Sequence, residues 1–141
     1  MRISPRRLVV PLAVLFLAAL AAWQYRASSA DAYATTASLQ QDGYEIRIES
    51  SAAEAATMKP ALFRIEARRL DGGPVDVKDV RMKIEMPGMF CGVFRAELTR
   101  LGPDRYEASV IPVMNGVWEA EAVVRIDDRA YAIKHRFKAV A

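Results

Sequence analysis

The sequence predicts an all-β domain, an antiparallel β-sandwich of about seven strands, behind an apolar N-terminal segment. From Gly43 onward, apolar and polar residues alternate with period two, which is typical of half-buried strands. Turn residues such as those at 71–74, 101–104 and 115–116 break the alternation at short intervals. Half-polar strands at this spacing favour two packed antiparallel sheets over a parallel sheet. The seven predicted strands span residues 44–49, 61–68, 80–86, 94–99, 106–110, 118–124 and 131–137.

The strand count and the two-sheet arrangement indicate an immunoglobulin-like domain over residues 43–141. The disulfide of antibody domains is absent, because Cys91 is the only cysteine. In an exported protein, a lone thiol is buried and inert, paired with another chain, or a reactive or metal-binding group.

Residues 1–30 are of a different kind from the rest of the chain. Three arginines among the first seven residues precede the apolar run Leu8–Ala22. This pattern predicts a signal peptide or an N-terminal membrane anchor, with the domain on the periplasmic side of the cytoplasmic membrane. Both outcomes stay open, because Ser28–Ala30 offers small side chains for cleavage before Asp31.

Between this segment and the domain, residues 31–42 are rich in Ala, Ser and Thr and predict a flexible lead. Inside the domain, residues 51–58 form the one helix-like stretch, which is short and is ended by Pro60.

The charge pattern argues against a nucleic-acid partner. The whole chain carries a net charge of +3, but four of its 20 basic residues precede Asp31 and all 17 acidic ones lie at or after it. The part from Asp31 onward therefore carries −1. It contains no run of five or six like charges, so a polyanion partner is not predicted.

The cluster Met86-Pro-Gly-Met89-Phe-Cys91 is the most informative motif of the chain, and Met114 follows further on. Thioether and thiol sulfurs are soft donors that select Cu(I) over hard cations. Pro87 and Gly88 predict a sharp turn that would let the two methionines converge. The sequence therefore predicts a Cu(I) site formed by Met86, Met89, Cys91 and Met114.

Strand direction predicts that these residues share one end of the sandwich. If consecutive strands alternate in direction, the loops after the first, third and fifth predicted strands lie at the same end. These loops contain Met58, the 86–91 cluster and Met114. The alternative that these residues belong to the hydrophobic core remains open. Met86 continues the inward face of its strand, Cys91 can be a small buried hydrophobe, and His135 and Trp118 fit the core.

The order of motifs resembles a known family. The M-P-G-M turn is followed by G-P-D-R-Y106 and by Met114-x-Gly116-x-Trp118, behind an N-terminal membrane segment. In the order of these motifs, the chain is similar to YtkA-like domain proteins, which are related to FixH-type proteins. The similarity covers about Tyr44–Lys138. The resemblance implies a role in supplying copper to membrane haem-copper oxidases or in assembling them. Cys91 departs from the pattern, where a further methionine or glycine is expected.

Two functions follow as hypotheses. The first is a membrane-associated domain that handles Cu(I) or assists assembly of a copper-containing membrane complex, with a membrane protein as its partner. The second is a structural or protein-interaction sandwich without metal, whose methionines serve as an adaptable apolar surface. No Ser/His/Asp or Cys/His/Asn arrangement is suggested by the spacing, so an enzyme is not predicted.

Overall fold

The computed structural model describes residues 34–141, and within that range it contains ten β-strands and no helix. The strands are β1 (Thr36–Gln41), β2 (Tyr44–Ser50), β3 (Glu54–Ala56), β4 (Ala61–Arg69), β5 (Val77–Glu85), β6 (Phe94–Arg95), β7 (Glu97–Arg100), β8 (Arg105–Val110), β9 (Gly116–Ile126) and β10 (Arg129–Val140). The predicted all-β class is confirmed. The predicted N-terminal helix, signal or anchor lies outside the described residues. Among the described residues, no helix has the length and apolar character needed to cross a membrane.

The strands form two five-stranded sheets. One sheet has the order β1-β2-β4-β8-β7 and the other the order β3-β10-β9-β5-β6. All neighbouring strands are antiparallel except β3 and β10, which pair in parallel over three residues. The predicted two-sheet sandwich is therefore present, with ten strands instead of about seven.

Two segments differ from the sequence prediction. The flexible lead predicted for 31–42 is wrong for residues 36–41, which form β1 and pair with β2 along six residues. Ala37 and Leu39 pack against the core, and this weak alternation is enough once β2 supplies the hydrogen bonds. The helix-like stretch 51–58 is also not a helix, because three of its residues pair with the end of β10 instead.

The predicted strand 94–99 is divided between the two sheets. β6 pairs with β5, and β7 pairs with β8 in the opposite sheet. Ala96 lies between them, and its N–H donates to the carbonyl of Met82 at 2.9 Å. The chain therefore switches sheets at Ala96 without interrupting the alternation of its side chains.

The inward faces of both sheets form a single hydrophobic core. Trp118, Phe63 and Ile48 are almost completely buried in it. Phe63 of one sheet packs edge-to-face on Phe137 of the other, with ring centroids 5.2 Å apart. Burying a side chain of this size contributes about 1.5–3 kcal/mol, so these inter-sheet contacts hold the sandwich together.

Because the strands alternate in direction, their connecting loops fall into two groups at opposite ends of the sandwich. We call one end the sulfur pole, formed by loops 51–60, 86–93 and 111–115. The N–H of Met58 donates to the carbonyl of Pro112 at 2.8 Å, which joins two of these loops. We call the other end the aspartate pole, formed by turns 42–43, 70–76, 101–104 and 127–128. The predicted sharing of one end by the sulfur-bearing loops is confirmed.

Candidate functional site

The turn in loop 86–93 has the geometry that its sequence requires. Pro87 and Gly88 are its central residues, Gly88 has a φ of +79°, and the N–H of Met89 donates to the carbonyl of Met86 at 3.3 Å. These are the features of a type II turn, in which only glycine adopts the positive φ without strain. The backbone closes this turn by itself, so the side chain of Met89 is free to point outward.

Met89 and Cys91 are two predicted ligands that are in contact in loop 86–93. Met89 is 56% exposed, and Cys91 is partly buried against the core. The Cys91 thiol donates to the carbonyl of Met89 across 3.8 Å, so its sulfur folds back over the turn. One thioether and one thiol therefore lie at the tip of the same loop.

Met114 lies on the neighbouring loop and is also exposed. Its carbonyl accepts a hydrogen bond from the indole Nε1 of the buried Trp118 at 2.9 Å, which fixes the loop to the core. The next residue, Asn115, is hydrogen-bonded to Thr57 of loop 51–60. Through these bonds the Met114 loop has a defined position beside the loop that carries Met58.

Met58 is a sulfur donor that the predicted ligand set leaves out. It is the most exposed methionine of the described residues and has a φ of +61°, which places its backbone in the left-handed region. The sequence signal for it was its position in the loop after the first predicted strand. The helix-like stretch that ends at Met58, and Pro60 two residues later, do not indicate a metal ligand.

Met86 occupies a different position from the other predicted ligands. It is 8% exposed and belongs to the hydrophobic core. Its Cε atom lies 2.6 Å from the point that a Cβ on Gly116 would occupy, so its tip packs against the backbone there. Of the four predicted ligands, the structure brings Met89, Cys91 and Met114 to the surface of the sulfur pole and leaves Met86 beneath it.

His135 is buried in the core, as predicted. Its ring packs edge-on against Phe63 at 6.1 Å, and its Nε2 has no hydrogen-bond partner among the described residues. Burial without a compensating charge lowers the pKa of His135 below its usual value. In residues 34–141, no group of three or more His, Cys, Asp or Glu side chains is placed to hold a metal ion.

The aspartate pole carries ion pairs between charged side chains where the sulfur pole carries methionines. Arg129 pairs with Asp42 at 2.8 Å, and Arg100 pairs with Asp76 at 2.9 Å. The hydroxyl of Tyr131 reaches Asp42 at 3.4 Å, beside the ring of Tyr44. Several charged groups of this pole pair with one another, whereas the side chains of Met58, Met89 and Met114 at the other pole are exposed.

The YtkA-like family model matches residues 38–123, from within β1 to within β9. This chain belongs to the YtkA-like family. No curated protein matches it.

Solved structures agree on the fold of this YtkA-like domain. A DUF4426 family protein from Pseudomonas aeruginosa is 8% identical, with a TM-score of 0.56 over 74% of this chain and 94% of that one. A DUF4785 family protein from Legionella pneumophila is 15% identical, also with a TM-score of 0.56, over 72% of this chain. The present chain spans only 30% of the Legionella protein. At these identities the likeness concerns the fold alone.

Proposed function

We propose that this YtkA-like protein is exported, membrane-associated and handles Cu(I) at its sulfur pole. One observation carries the proposal. Four sulfur-bearing side chains, from Met58, Met89, Cys91 and Met114, lie on three neighbouring loops at one end of the sandwich. The three methionines are exposed, so their thioethers are accessible to an incoming ion.

The donor set fits Cu(I) better than other metals. Thioether and thiolate are soft ligands, and hard cations such as Mg²⁺ and Ca²⁺ prefer oxygen. Met89 and Cys91 at the tip of one turn would form the centre of the site, with Met114 or Met58 completing it. Met86 fits this role less well, because its side chain is packed against Gly116 in the core.

A site on exposed loops with few ligands suits transfer of the ion better than permanent storage. The FixH-type relation suggested by the sequence gives this transfer a direction, toward a copper-containing membrane complex that is being assembled. The exposed sulfur-bearing side chains of the pole support a role in binding the ion, and the FixH relation is an expectation from the sequence motifs.

A second function is favoured by one observation. Phe90 is fully exposed between Met89 and Cys91 and brings no metal-ligating atom. An apolar ring displayed in this way suits a surface that contacts another molecule, and methionines are adaptable neighbours for it. In this alternative, the domain is a structural or interaction module at the membrane surface and binds no metal.

Titration with Cu(I) under anaerobic, reducing conditions, in competition with a chromophoric Cu(I) chelator, tests the copper proposal. We expect Cys91→Ser to weaken binding most, by at least about tenfold, or ~1.4 kcal/mol, because a hydroxyl is too hard to replace a thiolate. Met89→Leu should weaken it less. Met82→Leu, at a buried methionine within β5, is the matched control and should leave the affinity unchanged.

The pH dependence adds an independent criterion. Affinity should fall as the pH drops, because protons compete with Cu(I) for the thiol and not for the thioethers. If the wild-type chain and Cys91→Ser bind equally weakly and without pH dependence, the thiol is not a ligand. The interaction module would then be the better description of the domain.

A further inference from the structure

The exposed apolar side chains of the domain are concentrated at one end. Ten large hydrophobic residues are exposed within residues 34–141, and eight of them lie in the sulfur-pole loops or within two residues of them. These eight are Met58, Leu62, Met89, Phe90, Val93, Ile111, Met114 and Val117. Concentration at one end, in place of scattering over the surface, is a feature of interaction sites.

Two of the three sulfur-pole loops carry no charged residue, and loop 51–60 carries only Lys59 and Glu54, which pairs with Lys138. Residues 86–93 and 111–117 contain no Asp, Glu, Lys or Arg. The aspartate pole, by contrast, carries charged residues in all four of its turns. The part of the sulfur pole formed by residues 86–93 and 111–117 therefore has the low charge density that allows a surface to leave water for an apolar or interfacial environment.

The chain enters the domain at this same pole. β1 begins at Thr36, which lies opposite Glu49 near the end of β2, and the N–H of Ser50 donates to the carbonyl of Thr35 at 2.7 Å. The apolar run Leu8–Ala22 precedes this entry point. Residues 23–35 join the two, and such a stretch spans at most about 45 Å when fully extended.

Residues 23–35, the tether, are therefore attached to the domain at the sulfur pole. The aspartate pole lies one strand length further away, roughly 35 Å for a strand of the length of β9. Because the tether can span more than this length, either pole can reach the membrane, and the character of the surface decides which end stays there. The apolar surface of the sulfur pole therefore favours this end, and the attachment at the same end is compatible with it.

We infer that the sulfur pole lies on the surface of a lipid bilayer, with Phe90 and Met89 in the headgroup region. An aromatic ring and a flexible thioether at the tip of a turn suit this interface. The inference rests on the sequence prediction that Leu8–Ala22 enters the membrane. It does not depend on copper binding, because it uses the apolar character of the loop and not its metal affinity.

The test uses the full chain reconstituted in vesicles of phosphatidylcholine and phosphatidylglycerol, with no copper and no other protein. In a Cys91→Ser background, a fluorophore is attached to a single cysteine introduced by Val93→Cys at the sulfur pole or by Asp128→Cys at the aspartate pole. We expect nitroxide-bearing lipid to quench the label at position 93 several-fold more than the label at position 128. Iodide in the water should quench them in the opposite order.

A paired substitution separates contact by the loop from simple tethering. Met89→Ser with Phe90→Ser should abolish most of the lipid quenching at position 93. Leu70→Ser with Leu101→Ser, at two exposed leucines of the aspartate pole, should leave it unchanged. Equal quenching at both label positions would overturn the inference. So would a label at position 93 that stays accessible to iodide in these vesicles, which would point to a protein as the occupant of the pole.

Discussion

The two poles of the sandwich both reverse the direction of the chain, but they use different residues to do so. Both reverse the chain through tight turns that use positive φ angles, as at Gly88 on one end and Gly43 on the other. At the aspartate pole, side chains help to hold the turns: the carboxylate of Asp71 accepts a hydrogen bond from the N–H of Gly73 at 2.8 Å. At the sulfur pole, backbone bonds and Pro87 close the turn.

This difference shows which residues are available for function. The aspartates serve the fold, because their oxygens accept bonds from the chain or pair with nearby arginines. Within the described residues, the side chains of Met89 and Phe90 make no hydrogen bond in their turn, and both are exposed outside the core. Residues that a turn does not need, and that nevertheless place apolar and sulfur atoms in water, point to a ligand or a partner.

Each pole also rests on an aromatic pair. Trp118 packs against Phe94 at 5.8 Å beneath the sulfur pole, and Tyr131 packs against Tyr44 at 5.9 Å beneath the aspartate pole. The indole of Trp118 is completely buried and bonded to a loop carbonyl. The hydroxyl of Tyr131 reaches the exposed carboxylate of Asp42 at 3.4 Å and also bonds to the exposed side chain of Arg129, and neither partner belongs to the backbone. The sulfur pole is thus anchored more firmly from below.

The largest expected effect follows from this difference in anchoring. Trp118→Phe should lower the free energy of unfolding by about 2–3 kcal/mol, because it leaves a cavity and removes the hydrogen bond to Met114. Tyr131→Phe should cost about 0.5–1 kcal/mol. Urea denaturation followed by circular dichroism measures both values. Equal losses would mean that the two poles are anchored alike.

A second comparison places the same substitution at both poles. Gly116→Ala should cost about 2 kcal/mol, because Gly116 has a φ of +136° and a new Cβ would meet Met86. Gly43→Ala should cost about 1 kcal/mol, from its φ of +81° alone, because its surroundings are open. Denaturant unfolding again provides the measurement.

The Met86 contact can be isolated with a double-mutant cycle. In a Met86→Val background, the clash with a Cβ at position 116 disappears, so Gly116→Ala should cost close to what Gly43→Ala costs. An unchanged cost of Gly116→Ala in that background would contradict the packing described for Met86. The backbone angle would then account for the whole effect.

Periodicity in the sequence was sufficient for most of the strands. Six predicted strands correspond to β2, β4, β5, β8, β9 and β10, because each alternates clearly between a buried and an exposed face. β1 was missed because Thr36–Gln41 has only two apolar residues facing the core. The division of the fourth predicted strand was missed because alternation runs through Ala96 without a break. Which sheet a residue joins depends on distant partners that no local pattern contains.

The same limit applies to the candidate site. Strand direction alone predicted that Met58, Met89, Cys91 and Met114 would lie at one end. Alternation along the third predicted strand already indicated that Met86 faces the core, and the structure places it there. Its contact with Gly116, which lies 30 residues further along the chain, could not be predicted from the local motif. A motif predicts a set of candidate ligands, and long-range packing decides which of them face solvent.

The smallest expected effect is the loss of stability as the pH falls, and its pH range differs between the two ends. His135 is the only histidine of the chain, and it lies two residues before Phe137, which pairs with Trp118 of the sulfur-pole half. Because burial lowers the pKa of His135, the unfolded chain binds this proton at a higher pH than the folded domain does. Stability should therefore be complete above pH 6.5 and decline below it, by at most about 1.4 kcal/mol per pH unit.

The aspartate pole should respond only at lower pH. The N–H of Gly73, with Arg69, holds the pKa of Asp71 below its usual range, and Lys78, with Arg100, does the same for the pKa of Asp76. Their stabilisation is present above the ordinary pKa of 3.8 and is lost as the pH falls below it. Urea midpoints between pH 7.5 and 3 separate the two windows. His135→Leu should remove the decline just below pH 6.5, and Asp71→Asn with Asp76→Asn should leave that decline intact. If His135→Leu keeps the decline, the buried ring is not its source, and the contrast between the two ends in acid does not hold.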